Sequence, residues 1–170
     1  MKAAELLQTI ISEMNMVLLA DVKDLTPEHL AWKPAPGANS IGFIFWHLVR
    51  IEDEFVSDLL EKPSVWESGK WDAKLGMDTK AHGMGFQEPE VDRVAALPLA
   101  EIMDYAKLVI QTVDEYLKSL DDDKLDVAPN PEKPKRTIAM ILRNFILAHG
   151  WWHIGEIKYL KGMQGMPAPR

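Results

Sequence analysis

Three polar residues interrupt an apolar stretch near the C-terminus, LAHGWWHIGEI at residues 147–157. His149 and His153 are four residues apart, and Glu156 follows three residues later. In a helix, side chains three and four positions apart project from one face. Two imidazoles at this spacing can bind the same metal ion, because histidine nitrogen is a common ligand of zinc and related metals. The alternative is a pair of core histidines that are hydrogen-bonded to the backbone.

The helical wheel predicts that this polar face is buried. At about 100° per residue, the three polar residues share a broad face with Ile138, Leu142, Phe145, Trp152 and Leu160. They lie near the middle of that apolar stripe, not at its edge. Burying an unpaired imidazole or carboxylate is costly, so the pattern predicts an internal polar site.

A third histidine strengthens the metal interpretation. His47, in SIGFIFWHLVRIEDEF, flanks the apolar stripe of another helix beside Ile44 and Ile51. Three nitrogen ligands leave a fourth position for water or substrate, which is typical of a reactive metal site. A plain core histidine is the alternative at this position. The chain has no cysteine, which excludes thiolate ligands, disulfides and a cysteine nucleophile.

Two glutamates could act beside these histidines. Glu156 and Glu54 are each candidates for a hydrogen bond to a ligand histidine, for a fourth ligand, or for a general base. The alternative for Glu54 is an exposed place in the acidic run that Glu52 and Asp53 begin. Gly150 stands where a zinc-protease helix needs glutamate, and no Glu-x-x-His pair of the di-iron bundles is present.

Five other residues have weaker functional interpretations. Arg50 follows His47 by three residues and could hold an anionic substrate group, but a surface arginine with a buried stem is the favoured interpretation. His82, in KAHGMGF, could belong to a lid over the site. Trp46, Trp151 and Trp152, beside the ligands, could line a pocket, although tryptophan at bundle spacing more often packs a core.

Four long helical patterns must position these residues. They run from Lys2 to Lys23, from an N-cap at Ser40 to Pro63, from about Pro98 to Leu120, and from about Thr137 to Leu160. Thr26 and Pro27 start a short helix between the first two. The connection over 63–97 holds Trp66, Trp71 and Phe86, so we expect it to be functional or packed against the body.

These patterns predict one all-α domain over residues 1–170, an antiparallel four-helix bundle with a long crossover between helices 2 and 3. The net charge of −7 and the pI of about 5.2 disfavour nucleic acid and anionic lipid as partners. The N-terminus indicates an amphipathic helix, not a signal peptide. The sequence contains no run of about 20 apolar residues that would predict a membrane span. We therefore expect a cytoplasmic protein.

The chain resembles the DinB-like (DinB/YfiT-like) superfamily of metal-binding four-helix bundles. One matching feature is LTPEHLAWKPAPGANSIGFIFWHLVRIEDE, where a tryptophan-basic-proline turn and a small-residue loop precede the histidine of helix two. Another is HGWWHIGEIKYL, which looks like the family's His-x-x-x-His-x-Gly-Gln segment. About a hundred residues separate the two, and the resemblance covers essentially the whole chain.

The resemblance implies a metal site and a type of chemistry. The family's ligands, one histidine from helix two and two from helix four, correspond to His47, His149 and His153. Nickel, zinc, iron and manganese occur or are proposed across the family, and many members are homodimers. Characterised relatives include thiol-dependent transferases and isomerases that use bacillithiol, mycothiol or glutathione, and many members have no known reaction. Glu156 departs from the family's glutamine, so its carboxylate could alter ligand number or metal preference.

The sequence therefore predicts a divalent-metal protein, with zinc or nickel favoured over iron or manganese. The expected activity is transfer of a low-molecular-weight thiol to a small-molecule substrate. One alternative is a hydrolase that uses metal-activated water with Glu156 or Glu54 as base. Another is a stress-related binding module with a structural metal, and a third is a metal-free bundle with plain histidines.

Overall fold

The computed structural model describes residues 2–166, and over that range it contains helices and no strand. The prediction of an all-α fold is thus confirmed for the described residues. The elements are α1 Ala3–Val22, α2 Pro27–Ala31, α3 Ile41–Leu60, α4 Val65–Ser68, α5 Trp71–Leu75, α6 Glu88–Ala95, α7 Leu99–Lys118, a 3₁₀ turn Asp122–Lys124, α8 Ile138–Ile141, a π-helical segment Leu142–Ala148, and α9 His149–Met163.

The helices begin where the capping residues of the sequence place them. The Ser40 hydroxyl accepts a hydrogen bond from the Phe43 amide at the start of α3, and Thr26 does the same for His29 at the start of α2. Thr137 accepts from the Met140 amide before α8. Each cap satisfies an amide that has no partner within its helix. The predicted bounds of the four long helices are correct to within a few residues.

The four long helices enclose one hydrophobic core. Both α1 and α3 pack against α7 and against the C-terminal helix. The largest fully buried side chains come from several elements: Trp46, Trp66, Tyr105, Phe45, Ile11, Met14 and Leu142. Removing this apolar surface from water is the main favourable term in folding.

One described helix, α1, is long and apolar enough to cross a membrane by length and composition. Core helices of soluble proteins pass the same test. Here Ile11, Met14 and Leu18 of α1 lie in the core.

The connection between α3 and α7 packs against the body, as its aromatic residues predicted. Trp66 and Trp71 are buried, and Phe86 packs on the core. The carboxylate of Asp53 anchors the first turn of α4 by accepting hydrogen bonds from the amides of Val65 and Trp66, both at 2.8 Å. The connection therefore covers a side of α3 that the sequence pattern left exposed.

This cover buries Asp53, and contact with Asn15 of α1 accompanies the burial of Glu52; the two are 2% and 3% exposed. The alternative of a solvated acidic run around Glu54 therefore fails for both, and Glu54 itself is half-buried. The expectation of a surface Arg50 is also wrong. Its guanidinium donates to the Ala81 carbonyl, Asp53 and the Tyr105 hydroxyl, and lies 4.8 Å from the centre of the Trp66 ring.

The C-terminal helix changes its pitch before it reaches the histidines. Through the π-helical segment Leu142–Ala148 and into α9, the buried positions are 142, 146, 150, 154 and 157, mostly four residues apart. A wheel at 3.6 residues per turn predicts burial at positions 142, 145 and 149, and at 152 or 153. A π-turn holds more residues than an α-turn, so the buried stripe moves forward by about one residue. Trp152, predicted in the stripe, is 73% exposed.

Candidate metal centre

The structure brings His47, His149 and His153 together, as the sequence predicted. One nitrogen from each ring lies within 4.8 Å of the other two, in a group that could hold a metal ion. The Nε2 atoms of His149 and His153 are 3.1 Å apart. His47 reaches them from α3, with its ring centroid 5.2 Å and 5.4 Å from theirs.

Hydrogen bonds fix the tautomers of two of these rings. The Nδ1 atom of His47 lies 2.5 Å from the carbonyl oxygen of His82. Since a carbonyl only accepts, His47 carries its proton on Nδ1 and leaves the Nε2 lone pair free. The Nδ1 atom of His153 lies 2.5 Å from Oε2 of Glu156, which has the same effect. Such outer partners are typical of histidines that bind metal through the other nitrogen.

Burial keeps the rings of His149 and His47 in the neutral form. Burial is the main cause that lowers the pKa of His149 to about 4, and the neighbouring His153 and His47 add to it. Burial likewise lowers the pKa of His47. The Nδ1 atom of His149 is buried without a hydrogen-bond partner among the described residues. Neutral imidazole is the form that binds metal, so the donor set fits a divalent cation.

The polar face lies at the edge of the buried stripe, not in its middle. The side chain of Glu156 is 52% exposed and that of His153 is 16% exposed. The prediction that Glu156 sits in the centre of the apolar face is wrong, because the π-helical segment turns the stripe toward Gly150 and Ile154. The three histidines therefore meet near the surface.

Glu54 lies apart from the cluster. Its half-buried side chain lines a cavity of about 340 Å³ together with His82 and Arg50. No hydrogen bond joins Glu54 to any of the three histidines in the part of the chain that the structure describes. Of the two glutamates, only Glu156 contacts a ring of the centre.

Sequence reasoning missed the role of the turn around His82. Its contact with the centre is the backbone carbonyl, and the chain can approach that closely because Gly83 follows. A Cβ at Gly83 would lie 2.9 Å from Nδ1 of His47 and 3.2 Å from the Phe43 ring, and the residue has φ = +91°. The glycines of KAHGMGF were the available signal, since such residues mark close approach of backbone.

The tryptophans around the centre have different surroundings. Trp46 is fully buried and packs on Trp66 and Phe86. Trp151 and Trp152 are 39% and 73% exposed. The simple packing interpretation holds for Trp46, whereas the other two form part of the surface next to the ligands.

Comparisons with known proteins agree on the fold. The model of the DinB superfamily matches residues 10–157. A crystal structure of a conserved protein from Enterococcus faecalis superposes with a TM-score of 0.78, covering 95% of this chain and 96% of that one, at 20% sequence identity. At that identity the likeness shows the fold alone. No curated protein matches the chain.

Proposed function

The chain belongs to the DinB superfamily, and we propose that it is a divalent-metal-dependent enzyme that transfers a low-molecular-weight thiol to an electrophilic small molecule. The observation that carries this proposal is the approach of three imidazole nitrogens to within 4.8 Å of one another near the surface. Two of those rings have their Nε2 lone pairs fixed by outer hydrogen bonds. Three such ligands leave room for a substrate atom.

His47, His149 and His153 would hold the ion. A divalent ion bound there would supply Lewis-acid chemistry that lowers the pKa of a thiol. Three imidazoles favour zinc, with nickel as the next choice and iron or manganese as further options. Metal supply also decides occupancy, because affinities for these ions overlap at nitrogen sites.

In this proposal the protein's own residues position ligands and move a proton. The His82 carbonyl and Glu156 hold the rings of His47 and His153 in the metal-binding tautomer. The half-exposed Glu156 carboxylate could also accept the proton that the thiol loses, since only its Oε2 is engaged by His153. The same carboxylate supports the alternative of a hydrolase, in which it would take a proton from water.

Elemental analysis of untagged protein, followed by a thiol-transfer panel, tests the proposal. We expect about one ion per chain and transfer that is lost on chelation and restored by the ion. His47→Ala should lose the ion, whereas the control His29→Ala, at a histidine of α2 outside the three-histidine group, should keep it. Absence of metal would remove the whole proposal. Metal without transfer from any thiol would remove the chemistry and retain the site.

We also infer that the long helices form an antiparallel bundle with a crossover between α3 and α7. Hydrogen bonds from Ala4 to Asp122 and from Ser12 to Asp114 support opposite directions for α1 and α7. Stacking of Phe55 on Phe145, together with the contact of His47 with His153, supports opposite directions for α3 and α9.

Contacts near the ends of two helices refine this topology. Lys158 and Lys161 near the end of α9 bond to Asp21 near the end of α1, which supports a parallel pair. The inferred order is then up, down, down, up, and the 61–98 connection runs the length of the bundle.

We further propose that the protein works as a homodimer in the cytoplasm. The absence of cysteine supports that location, because it fits a reducing compartment. An exposed face of α9, with Trp152, Tyr159 and Met163 on it, supports association. Sedimentation equilibrium should show a dimer for the wild type and a monomer for Tyr159→Glu. Met84→Glu, an equally exposed site on the connection, is the control, and a monomeric wild type would contradict the proposal.

A further inference from the structure

A second cavity lies beside the C-terminal half of α3, and none of the three histidines lines it. Its volume is about 420 Å³, within the range of small-molecule sites. The segment before α8 forms the opposite wall. The lining residues are Phe55, Asp58, Leu59, Glu61, Pro129, Asn130, Pro131, Lys133, Arg136 and Ile141.

Arg136 is held in this cavity by aromatic rings and not by a carboxylate. Its guanidinium carbon lies 4.5 Å from the centre of the Phe145 ring and 5.2 Å from that of Phe55. The two rings stack on each other with centroids 4.6 Å apart. Cation–π contacts fix the plane of the guanidinium, so its donors have a set direction before any ligand arrives.

The Nε atom of Arg136 is buried and has no hydrogen-bond partner within residues 2–166. No ion pair involving Arg136 exists in that range either. An arginine stays charged at all ordinary pH values, and a buried donor without an acceptor is costly. A bound anion would pair with the charge through the terminal nitrogens of the guanidinium, whose planar donor fork carboxylates match.

The charges around the cavity favour a monoanion over a dianion. Lys133 adds a second cation, while Asp58 and Glu61 add two carboxylates. Arg136 and these three residues cancel formally, so the lining has no excess of cations to balance a dianion such as inorganic phosphate.

The remaining walls indicate what the rest of the ligand is. Leu59, Ile141, Pro129, Pro131 and the edge of Phe55 present apolar surface. We propose that this cavity binds a small monocarboxylate with an aryl or short alkyl tail, its carboxylate on Arg136 and its tail against these apolar residues. This site goes beyond the proposed thiol transfer, since it needs neither the metal nor a thiol.

Phenylacetate is a suitable probe, titrated into the full chain by calorimetry and by ¹H–¹⁵N NMR. We expect saturable binding that is equal in metal-free and metal-loaded protein, with shifts in residues around Phe55 and Arg136. Phenylacetamide should bind at least about tenfold more weakly, because it cannot form charge-assisted bonds. Inorganic phosphate should also bind at least about tenfold more weakly, because it has no apolar tail to bury against the wall.

Variants test whether the Arg136 guanidinium itself binds the carboxylate, as opposed to an effect of misfolding or of a nearby charge change. Arg136→Gln should weaken phenylacetate binding about tenfold or more, and Arg136→Lys should weaken it less, because the charge remains without the planar fork. Lys135→Gln, an exposed position of the same segment, is the matched control and should bind as the wild type. Circular dichroism checks folding, and Lys133→Gln gives an independent variant, also expected to weaken binding, if Arg136→Gln does not fold.

Several results would overturn the proposal. These are equal binding to Arg136→Gln, equal affinity for phenylacetamide, or no saturation by about 10 mM, a concentration at which even a weak millimolar site fills. Binding that requires the metal would assign the carboxylate to the histidine centre and would also overturn it.

Discussion

The carboxylate of Glu156 holds the His153 ring by a 2.5 Å hydrogen bond to Nδ1. We expect Glu156→Ala to lower metal affinity about tenfold to a hundredfold, as loss of such outer partners does in other metal sites. Glu156→Gln should lower metal affinity less, because its amide oxygen can still accept the hydrogen bond from Nδ1–H of His153. Competition with a chelating dye measures both, and Glu54→Gln is the control. Unchanged affinity in Glu156→Ala would rule out a positioning role.

Glu52 predicts a dependence of stability on pH. Burial raises its pKa to about 8 from an ordinary 4.5, and Asp114 adds to the effect. Asn15 donates to Oε2 at 3.1 Å, while Oε1 of Glu52 and Oδ1 of Asn15 are buried without partners in the described chain. A protonated carboxyl gains a donor in these surroundings, whereas a carboxylate remains an unpaired charge.

The sign of the effect follows from the raised pKa. Below pH 4.5 both folded and unfolded chains are protonated at Glu52, and this group imposes no penalty. Between about 4.5 and 8 only the unfolded chain releases the proton, so the free energy of unfolding falls as pH rises. Glu52→Gln removes this titration. Urea unfolding measures the free energy of unfolding of the variant minus that of the wild type. This difference should increase from pH 5 to pH 8 by on the order of a few kcal/mol. A pH-independent difference would contradict the prediction.

At the scale of elements, the turn at His82 ties the connection to the ligand of α3. Gly83→Ala places a Cβ against His47 and Phe43 at a positive φ, so we expect lower metal affinity and lower stability. Gly85→Ala is a matched control, because its φ is also positive, +77°, but nothing lies within 4 Å of the added Cβ. Both should show the cost of backbone strain in thermal unfolding. If both lost metal affinity equally, contact with His47 would not be the cause.

The elements also show where sequence reasoning succeeds and where it stops. Caps and apolar stripes predicted the helix bounds because they depend on neighbouring residues. Trp152 was misplaced because the wheel assumes 3.6 residues per turn, and nothing in LRNFILA marks a π-helical segment. Arg50 and Asp53 were misplaced because their cover comes from α4 and α7, far away along the chain. His149 and His153 were found because their spacing relates them. His47 was found from its place beside the apolar stripe of α3 and from the family resemblance.

At the scale of the whole molecule, the core does not depend on the metal centre. Trp46, Trp66 and Tyr105 are fully buried by protein side chains, so the fold has its own driving force, unlike small zinc domains that unfold without metal. We expect chelated protein to keep its helical circular dichroism and to unfold cooperatively. Added metal should raise the midpoint of thermal unfolding, since it binds the folded state. Loss of helix on chelation would instead indicate a structural ion.

The exposed Trp152 gives the centre its own optical reporter. It directly precedes His153 in the chain and is 73% exposed, whereas Trp46, Trp66 and Trp71 are at most 4% exposed. In the Tyr159→Glu variant, which we expect to be monomeric, water around the Trp152 indole shifts its fluorescence to longer wavelength, so Trp152 contributes strongly to the red edge of the spectrum. A paramagnetic ion such as nickel, bound to the adjacent imidazoles, would quench that part of the emission, and it would also quench Trp46, which directly precedes the proposed ligand His47. Metal loading of the unlabelled protein can then be followed by intrinsic tryptophan fluorescence.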